Sequence, residues 1–175
     1  MVRVDPLPRP VPDADVAALA EVLRDCVEDG ASVGFRHGLS QSDAVAWWRR
    51  RLEDDRLLSW VARDDEGVVL GTVSLHLDQP DTGRHRGEVT KLLVRASARR
   101  DGVASALMAR LEADAVAHGR SLLMLDTESG SAAEHLYLRL GWEPFGRLEG
   151  HAEAPDGRLT PTTFLAKRLA PEATA

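Results

Sequence analysis

Residues 99–104, Arg-Arg-Asp-Gly-Val-Ala, are of the types and in the order that can hold a phosphate group. Gly102 and Ala104 have almost no side chain, so an anion can approach the main chain closely. Upstream, Val89-Thr90-Lys91-Leu92-Leu93-Val94 is an apolar, β-branched run that stops at a polar turn, as a strand does on entering a loop. Downstream, Val103, Leu107, Leu111 and Ala115 share one helical face, widened by Ala104 and Met108, and Gly119 stands where the helix would end. A strand, a glycine turn and a helix in that order aim free backbone N–H groups outward at the positive end of a helix, which makes an anion cradle. The same pattern also serves as an ordinary strand-to-helix connection. Charge favours the cradle. The chain has a formal net charge of -6, yet residues 84–100 hold Arg84, Arg86, Lys91, Arg95, Arg99 and Arg100 against one acid, Glu88. The ligand implied is an anion of limited size; the competing reading of such a run is a solvated face.

The spacing excludes the better-known phosphate loops: neither Gly-x-x-x-x-Gly-Lys-Ser/Thr nor Gly-x-Gly-x-x-Gly occurs. What fits is Arg/Gln-x-x-Gly-x-Gly/Ala, the acyl-CoA pyrophosphate signature of the GNAT superfamily of N-acyltransferases, which Arg99, Gly102 and Ala104 resemble in order and spacing. The resemblance continues after a buried run, Ser121 to Leu125. There Ala133-Glu134-His135-Leu136-Tyr137-Leu138-Arg139-Leu140-Gly141-Trp142 resembles that superfamily's Ala-x-x-Leu-Tyr-x-x-x-Gly-Phe helix and turn. Together the two motifs cover roughly residues 88–145. The wording Glu-Val-x-Lys-Leu-Leu-Val, Leu-Asp-Thr and Leu-Gly-Trp is similar to the tabtoxin-resistance type of bacterial GNAT acetyltransferase.

The resemblance implies a fold and a chemistry. The fold is α/β, a mixed and mostly antiparallel sheet of six to seven strands with helices on both faces. The strands holding Leu92 and Leu122 splay apart, and acetyl-CoA, the co-substrate, lies in the opening. Main-chain groups of Leu92, Leu93 and Val94 would pair with its pantetheine, and those of Arg99, Arg100, Asp101, Gly102, Val103, Ala104 and Ser105 would hold its pyrophosphate. Acetyl transfer from a thioester to an amine requires the ammonium to lose a proton, the carbonyl oxygen to be stabilised and the departing thiolate to be neutralised. No nucleophilic residue is required, because the sulfur leaves readily. Tyr137, the chain's one tyrosine, occupies the family's general-acid position; a phenol pKa of about 10 suits donation to a thiolate of similar basicity. Without the motif it reads as a packed aromatic on an amphipathic helix. Glu88, at the head of the central strand, and Asp126, at the end of the next, are the two carboxylates for the base or for holding the acceptor's ammonium group. His76, His85 and His135 are further proton carriers by residue type. The sequence departs from the family in one place: many members have Asn seven residues before the tyrosine, and here that position is Gly130, so the cofactor contact passes to main chain or to Ser131, or is lost.

The elements that must position these groups can be read from hydropathy. Val2 to Val4 reads as a short strand, and Asp13 as the N-cap of a helix to about Glu28 with Val16, Leu19, Ala20, Leu23 and Val27 on one face. Ser40 or Ser42 can cap a second helix to about Glu53, with Asp43 in its first turn. Within it Trp47 and Trp48 point about 100 degrees apart, so one belongs to the core and the other to a pocket or interface. The loop between the helices, residues 31–39, borders the acceptor site in the family's fold; it equally reads as a plain connector. Leu57 to Arg63 and Val68 to Leu77 flank the turn Asp64-Asp65-Glu66-Gly67 as a hairpin. Residues 79–87 and 149–161 read as loops, Thr162 to Lys167 as a final strand, and 170–175 as a frayed tail.

Length and composition set the bounds. The 175 residues suffice for one domain, 1–175, and 43% hydrophobic with 29% charged residues describes an ordinary globular chain. No apolar run approaches the ~20 residues of a membrane helix and the start lacks a signal-peptide core, so neither membrane nor secretion is expected. Cys26, the single cysteine, lies among helical core positions and fits a reducing cytoplasm. No His/Cys cluster has metal-ligand spacing. Arg49-Arg50-Arg51 is followed at once by Glu53, Asp54 and Asp55 in an acidic chain, which excludes nucleic acid as the partner and reads as a solvated helix end. The function expected is acetyl transfer to the primary amine of a small polar molecule. The alternatives are protein N-terminal or lysine acetylation and a non-catalytic acyl-CoA sensor. A homodimer is left open.

Overall fold

The computed structural model describes residues 2–77 and 80–169. The chain runs β1 (Arg3–Pro6), α1 (Asp13–Glu28), α2 (Gln41–Leu52), β2 (Leu57–Arg63), β3 (Val69–His76), β4 (Arg86–Val94), α3 (Val103–Ala117), β5 (Leu122–Glu128), α4 (Ala132–Arg139), β6 (Glu143–Glu153) and β7 (Leu159–Arg168). The strands form one seven-stranded sheet in the order β1-β2-β3-β4-β5-β7-β6. Every pairing is antiparallel except β4 with β5. This is the architecture the resemblance implied.

Alternation along the strands divides the core into two layers. On one face α1 and α2 bury Leu19, Leu23, Val27 and Trp48 against Val61, Val69 and Leu93. On the other, α3 buries Leu107, Met108 and Leu111, and α4 buries Tyr137, against Val73, Val89, Leu123 and Leu125. Trp48 is the core tryptophan, its indole N–H donating to the Leu19 carbonyl at 3.1 Å, and Trp47 is the half-buried one. Helices α3 and α4 end alike, on Gly119 (φ 73) and Gly141 (φ 81). The next residue's N–H, from Arg120 or Trp142, reaches back to the carbonyl of Ala115 or Tyr137. This left-handed glycine closure satisfies the last carbonyls of each helix.

Several boundaries differ from the sequence reading. Pro12, not Asp13, occupies the N-cap of α1; Asp13 and Asp15 lie in its first turn, where carboxylates favour the positive helix end. Ser40 is the cap of α2, its Oγ accepting from Asp43 N–H at 3.1 Å. In the loop expected over 79–87, Gln79 lies outside the described residues, Asp81–Gly83 is one 3-10 turn, and Arg86 and Gly87 already belong to β4. Gly87 permits close approach there, since a Cβ would meet Leu75 Cδ1 at 2.8 Å. The loop expected over 149–161 is mostly strand, with only a short turn at 154–158 between β6 and β7. β6 is the sheet edge and is exposed along nearly its whole length, so no apolar alternation marked it. The tail expected to fray, 170–175, lies outside the described residues.

Candidate active site

The parallel pairing of β4 and β5 covers only Arg86 with Leu122, Gly87 with Leu123 and Glu88 with Met124. Both strands then continue without pairing to each other, β4 to Val94 and β5 to Glu128, and a wedge opens between them. The pairing on the other side of β4 is irregular. Thr72 pairs with Leu93 but Ser74 with Thr90, so Lys91 and Leu92 together oppose Val73. Lys91 takes up the extra length in the left-handed region, at φ 54. A bulge of this kind bends and twists its strand, and this one lies three residues beyond Glu88, on the stretch of β4 that borders the wedge. The half-buried side chain of Leu92 joins the α3 layer, and Leu93 is fully buried in the α1 layer. The Val94 carbonyl accepts from the Cys26 thiol at 3.4 Å. Burial first, offset by Arg99, raises that thiol above its ordinary value, in keeping with a core cysteine.

Beyond the wedge the chain makes a 3-10 turn, Ala96–Ala98, and reverses through Arg100 (φ 67) and Gly102 (φ 81) into α3. No side chain caps α3. Among the described residues nothing accepts a hydrogen bond from the N–H groups of Gly102, Val103, Ala104 or Ser105. A Cβ on Gly102 would meet nothing within 4 Å, so glycine is required there by the backbone angle and not by space. Acids on α1 and at its end hold the turn: Asp25 accepts from Ala96 N–H at 2.7 Å, Glu21 pairs with Arg95 at 2.8 Å, and Asp29 pairs with Arg99. The basic run is therefore not one surface. Arg84, Arg95 and Arg99 are neutralised locally, Lys91 turns inward, and Arg100 and the exposed Asp101 remain at the turn. The wedge and the unspent amides fit an elongated ligand with an anionic group.

Glu88 and Asp126 are both exposed. Register and alternation put them on the same face of the sheet, the α2 side: Glu88 is level with Met124, and Asp126 is two residues on. Asp126 lies within β5 instead of at its end. Tyr137 comes from the opposite face. It is 6% exposed, lies against Trp142 with ring centroids 5.8 Å apart, and has no hydrogen-bond partner for its hydroxyl among the described residues. Burial, and then the Asp126 carboxylate, push this phenol above its ordinary value. Ser131 caps α4, its Oγ accepting from Glu134 N–H at 3.2 Å, while the Glu134 carboxylate accepts from Gly130 N–H at 2.5 Å. The Gly130 loop is thus closed on its own helix. His76 pairs in register with Glu88 and hydrogen-bonds Asp54 at 3.0 Å. His85 lies at the closed end of the wedge, where its carbonyl accepts from Ser121 N–H, and His135 is exposed on α4. Among the described residues no group of three or more His, Cys, Asp or Glu converges as for a metal.

The loop 31–39 roofs the α2 side of the wedge. Val33 accepts from Lys91 Nζ at 3.0 Å and Phe35 meets Trp47 edge-on at 5.2 Å. Ser32 donates to the Glu153 carbonyl, Arg36 pairs with the Glu153 carboxylate, and His37 N–H donates to the Pro155 carbonyl. Sequence reasoning missed Arg51 and Lys91 at this place. Arg51, read as part of a solvated helix end, follows Trp47 by four positions and so shares its face; the bulge that turns Lys91 inward left no signal.

A family model and solved structures resemble this chain. Residues 17–142 match the family model described as Acetyltransferase (GNAT) family. A ribosomal-protein-alanine N-acetyltransferase from Brucella melitensis is 26% identical, with a TM-score of 0.77 over 97% of this chain and 99% of that one. A putative acetyltransferase from Salmonella typhimurium, solved with acetyl-CoA, is 23% identical with a TM-score of 0.76 over 99% of each chain. A phosphinothricin acetyltransferase from Sinorhizobium meliloti, also solved with acetyl-CoA, is 21% identical with a TM-score of 0.77 over 100% of this chain and 91% of that one.

Proposed function

The chain belongs to the acetyltransferase (GNAT) family, whose co-substrate is acetyl-CoA, and from that premise we propose that it acetylates the primary amine of a small polar molecule by direct attack in a ternary complex. The observation that carries the reading is the wedge beyond Glu88 and Met124, with Glu88 and Asp126 on one face of the sheet beside it and Tyr137 on the other. When bound, acetyl-CoA supplies an activated acetyl group as a thioester. The main chain of Leu92, Leu93 and Val94 would hold its pantetheine arm. The residues 99–105 would hold its diphosphate, chiefly on the amides of Gly102 to Ser105, which have no acceptor among the described residues.

Glu88 and Asp126 attract the acceptor's ammonium group and take its proton, directly or through a water. Main-chain N–H groups at the bulge would stabilise negative charge on the thioester carbonyl oxygen. Tyr137, neutral because burial and Asp126 raise it, carries the proton that the departing sulfur needs. Cys26 takes no part, being buried on the far side of Val94. A small acceptor suits the roof over the α2 side, where Ser32, Arg36 and His37 tie the loop to the β6–β7 hairpin.

The test is release of free CoA thiol from acetyl-CoA across a panel of small amines, lysine peptides and no acceptor. Acceptor-dependent release with small amines is expected. Release with peptides alone would shift the reading to protein acetylation. Binding of acetyl-CoA with no acceptor-dependent release would make the chain a sensor, and absence of calorimetric heat with CoA would remove the cradle altogether.

A further inference from the structure

Two cations that acetyl transfer does not require stand beside the wedge. The bulge sends Thr90 and Lys91 to the same face of β4, and α2 brings Arg51 onto them. Arg51 Nη2 donates to Thr90 Oγ1 at 2.5 Å, and the two cationic heads lie 5.3 and 5.5 Å from the centroid of the Trp47 ring. Among the described residues neither has a carboxylate within ion-pair distance, and Arg51 Nε is buried without a partner. Burial first, and then the neighbouring Arg51 charge, lower Lys91, while burial lowers Arg51. Like charges gathered out of water without a counter-ion are unfavourable for the empty protein. Glu88, Asp126 and Asp54 offset this only at longer range. Arg51 also borders a cavity of about 320 Å³, lined by Trp47, Arg50, Arg51, Asp54, Leu57 and His76, a volume suited to a small polar molecule.

We propose that Arg51 and Lys91 are the receptor for an oxyanion carried by the acceptor, so that the amine acetylated here bears a carboxylate or a similar group a few bonds from its nitrogen. The proposal rests on the transferase reading above and names its substrate class. Glu88 and Asp126 draw the ammonium end and Arg51 with Lys91 draw the anionic end, all on one face of the sheet. A dipolar acceptor is thereby oriented with its nitrogen toward the wedge, while a neutral or purely cationic amine has nothing to neutralise the cation pair.

The experiment presents amines in matched pairs, each amino acid beside its own carboxamide, with CoA thiol release as readout. The acid member is expected to have a kcat/KM about tenfold or more above its amide, the loss of one charge-assisted hydrogen bond. Arg51→Gln and Lys91→Gln are each expected to bring the ratio toward one by raising KM for the acid member more than for its amide, and Arg51→Lys to restore part of it. Equal use of both members by the unaltered protein, which needs no variant to fold, overturns the inference and leaves the transferase intact. So does a ratio that survives both Gln substitutions. No release from any pair while CoA still binds overturns the transferase reading, and this one with it.

Discussion

At the scale of the residue, Tyr137 combines two properties that rarely coincide without function. It is buried, yet its hydroxyl is not spent on the protein. Replacement by Phe keeps the packing on Trp142 and removes only the proton, so Tyr137→Phe should lower kcat about a hundredfold and leave the calorimetric affinity for CoA nearly unchanged. Unaltered turnover would take Tyr137 out of the mechanism. Because burial raises its pKa, the phenol stays protonated across the neutral range, and kcat should show no loss there from its ionisation. Asp54 gives a separate prediction about stability. The Arg56 N–H and then His76 hold its carboxyl at about 2, below the ordinary 3.8. A depressed folded-state value means a contribution fully present above the ordinary value and lost as pH falls toward about 2. Asp54→Asn should flatten that part of the stability curve, read by urea unfolding across the acid range. The type of each of these residues was legible in the chain, and the motif singled out Tyr137. That His76 lies against both Asp54 and Glu88 was not, because the three belong to different elements.

At the scale of the element, the turn into α3 is held by conformation at Gly102 and by α1 at Ala96. Gly102→Ala has open space around the added methyl but must hold φ 81, so it should cost about 1 kcal/mol of stability and weaken CoA binding through the misdirected amides. Chemical denaturation and calorimetry measure the two effects separately. Asp25→Ala removes the acceptor for Ala96 N–H from outside the ligand site; it should reduce CoA affinity severalfold while turnover at saturating CoA is kept. Equal affinity would mean that the turn stands without α1. The helices were readable to within a residue or two, since apolar stripes and glycine stops both follow from helix geometry. The edge strand β6 was not, because an exposed strand is specified by its hydrogen-bonded neighbour β7 and not by its own hydropathy.

At the scale of the whole molecule, the site exists because two core layers grip β4 from opposite sides. Val89 and Leu92 are held by the α3 layer and Leu93 by the α1 layer, so the strand is gripped from both faces at the bulge. Leu93→Ala should therefore cost about 3 kcal/mol and loosen the wedge, seen as a lower Tm together with weaker CoA binding. A loss of stability with CoA affinity intact would separate the core from the site. What the amino-acid sequence by itself determined was local: the glycine turn after Arg99, the apolar faces of the helices, and the order of elements that resembles the GNAT pattern. Each of these depends on neighbours within a few positions, and such neighbours are written side by side in the chain. Only the tertiary structure decided that β4 and β5 part after Glu88, that half of the basic run is neutralised by α1 and a nearby turn, and that Arg51 and Lys91 share one indole. Those outcomes depend on strand register and on the packing of a helix from residues 41–52 against a strand from residues 86–94. A one-residue bulge at Lys91 changes which side chains meet there without changing any hydropathy pattern that could announce it.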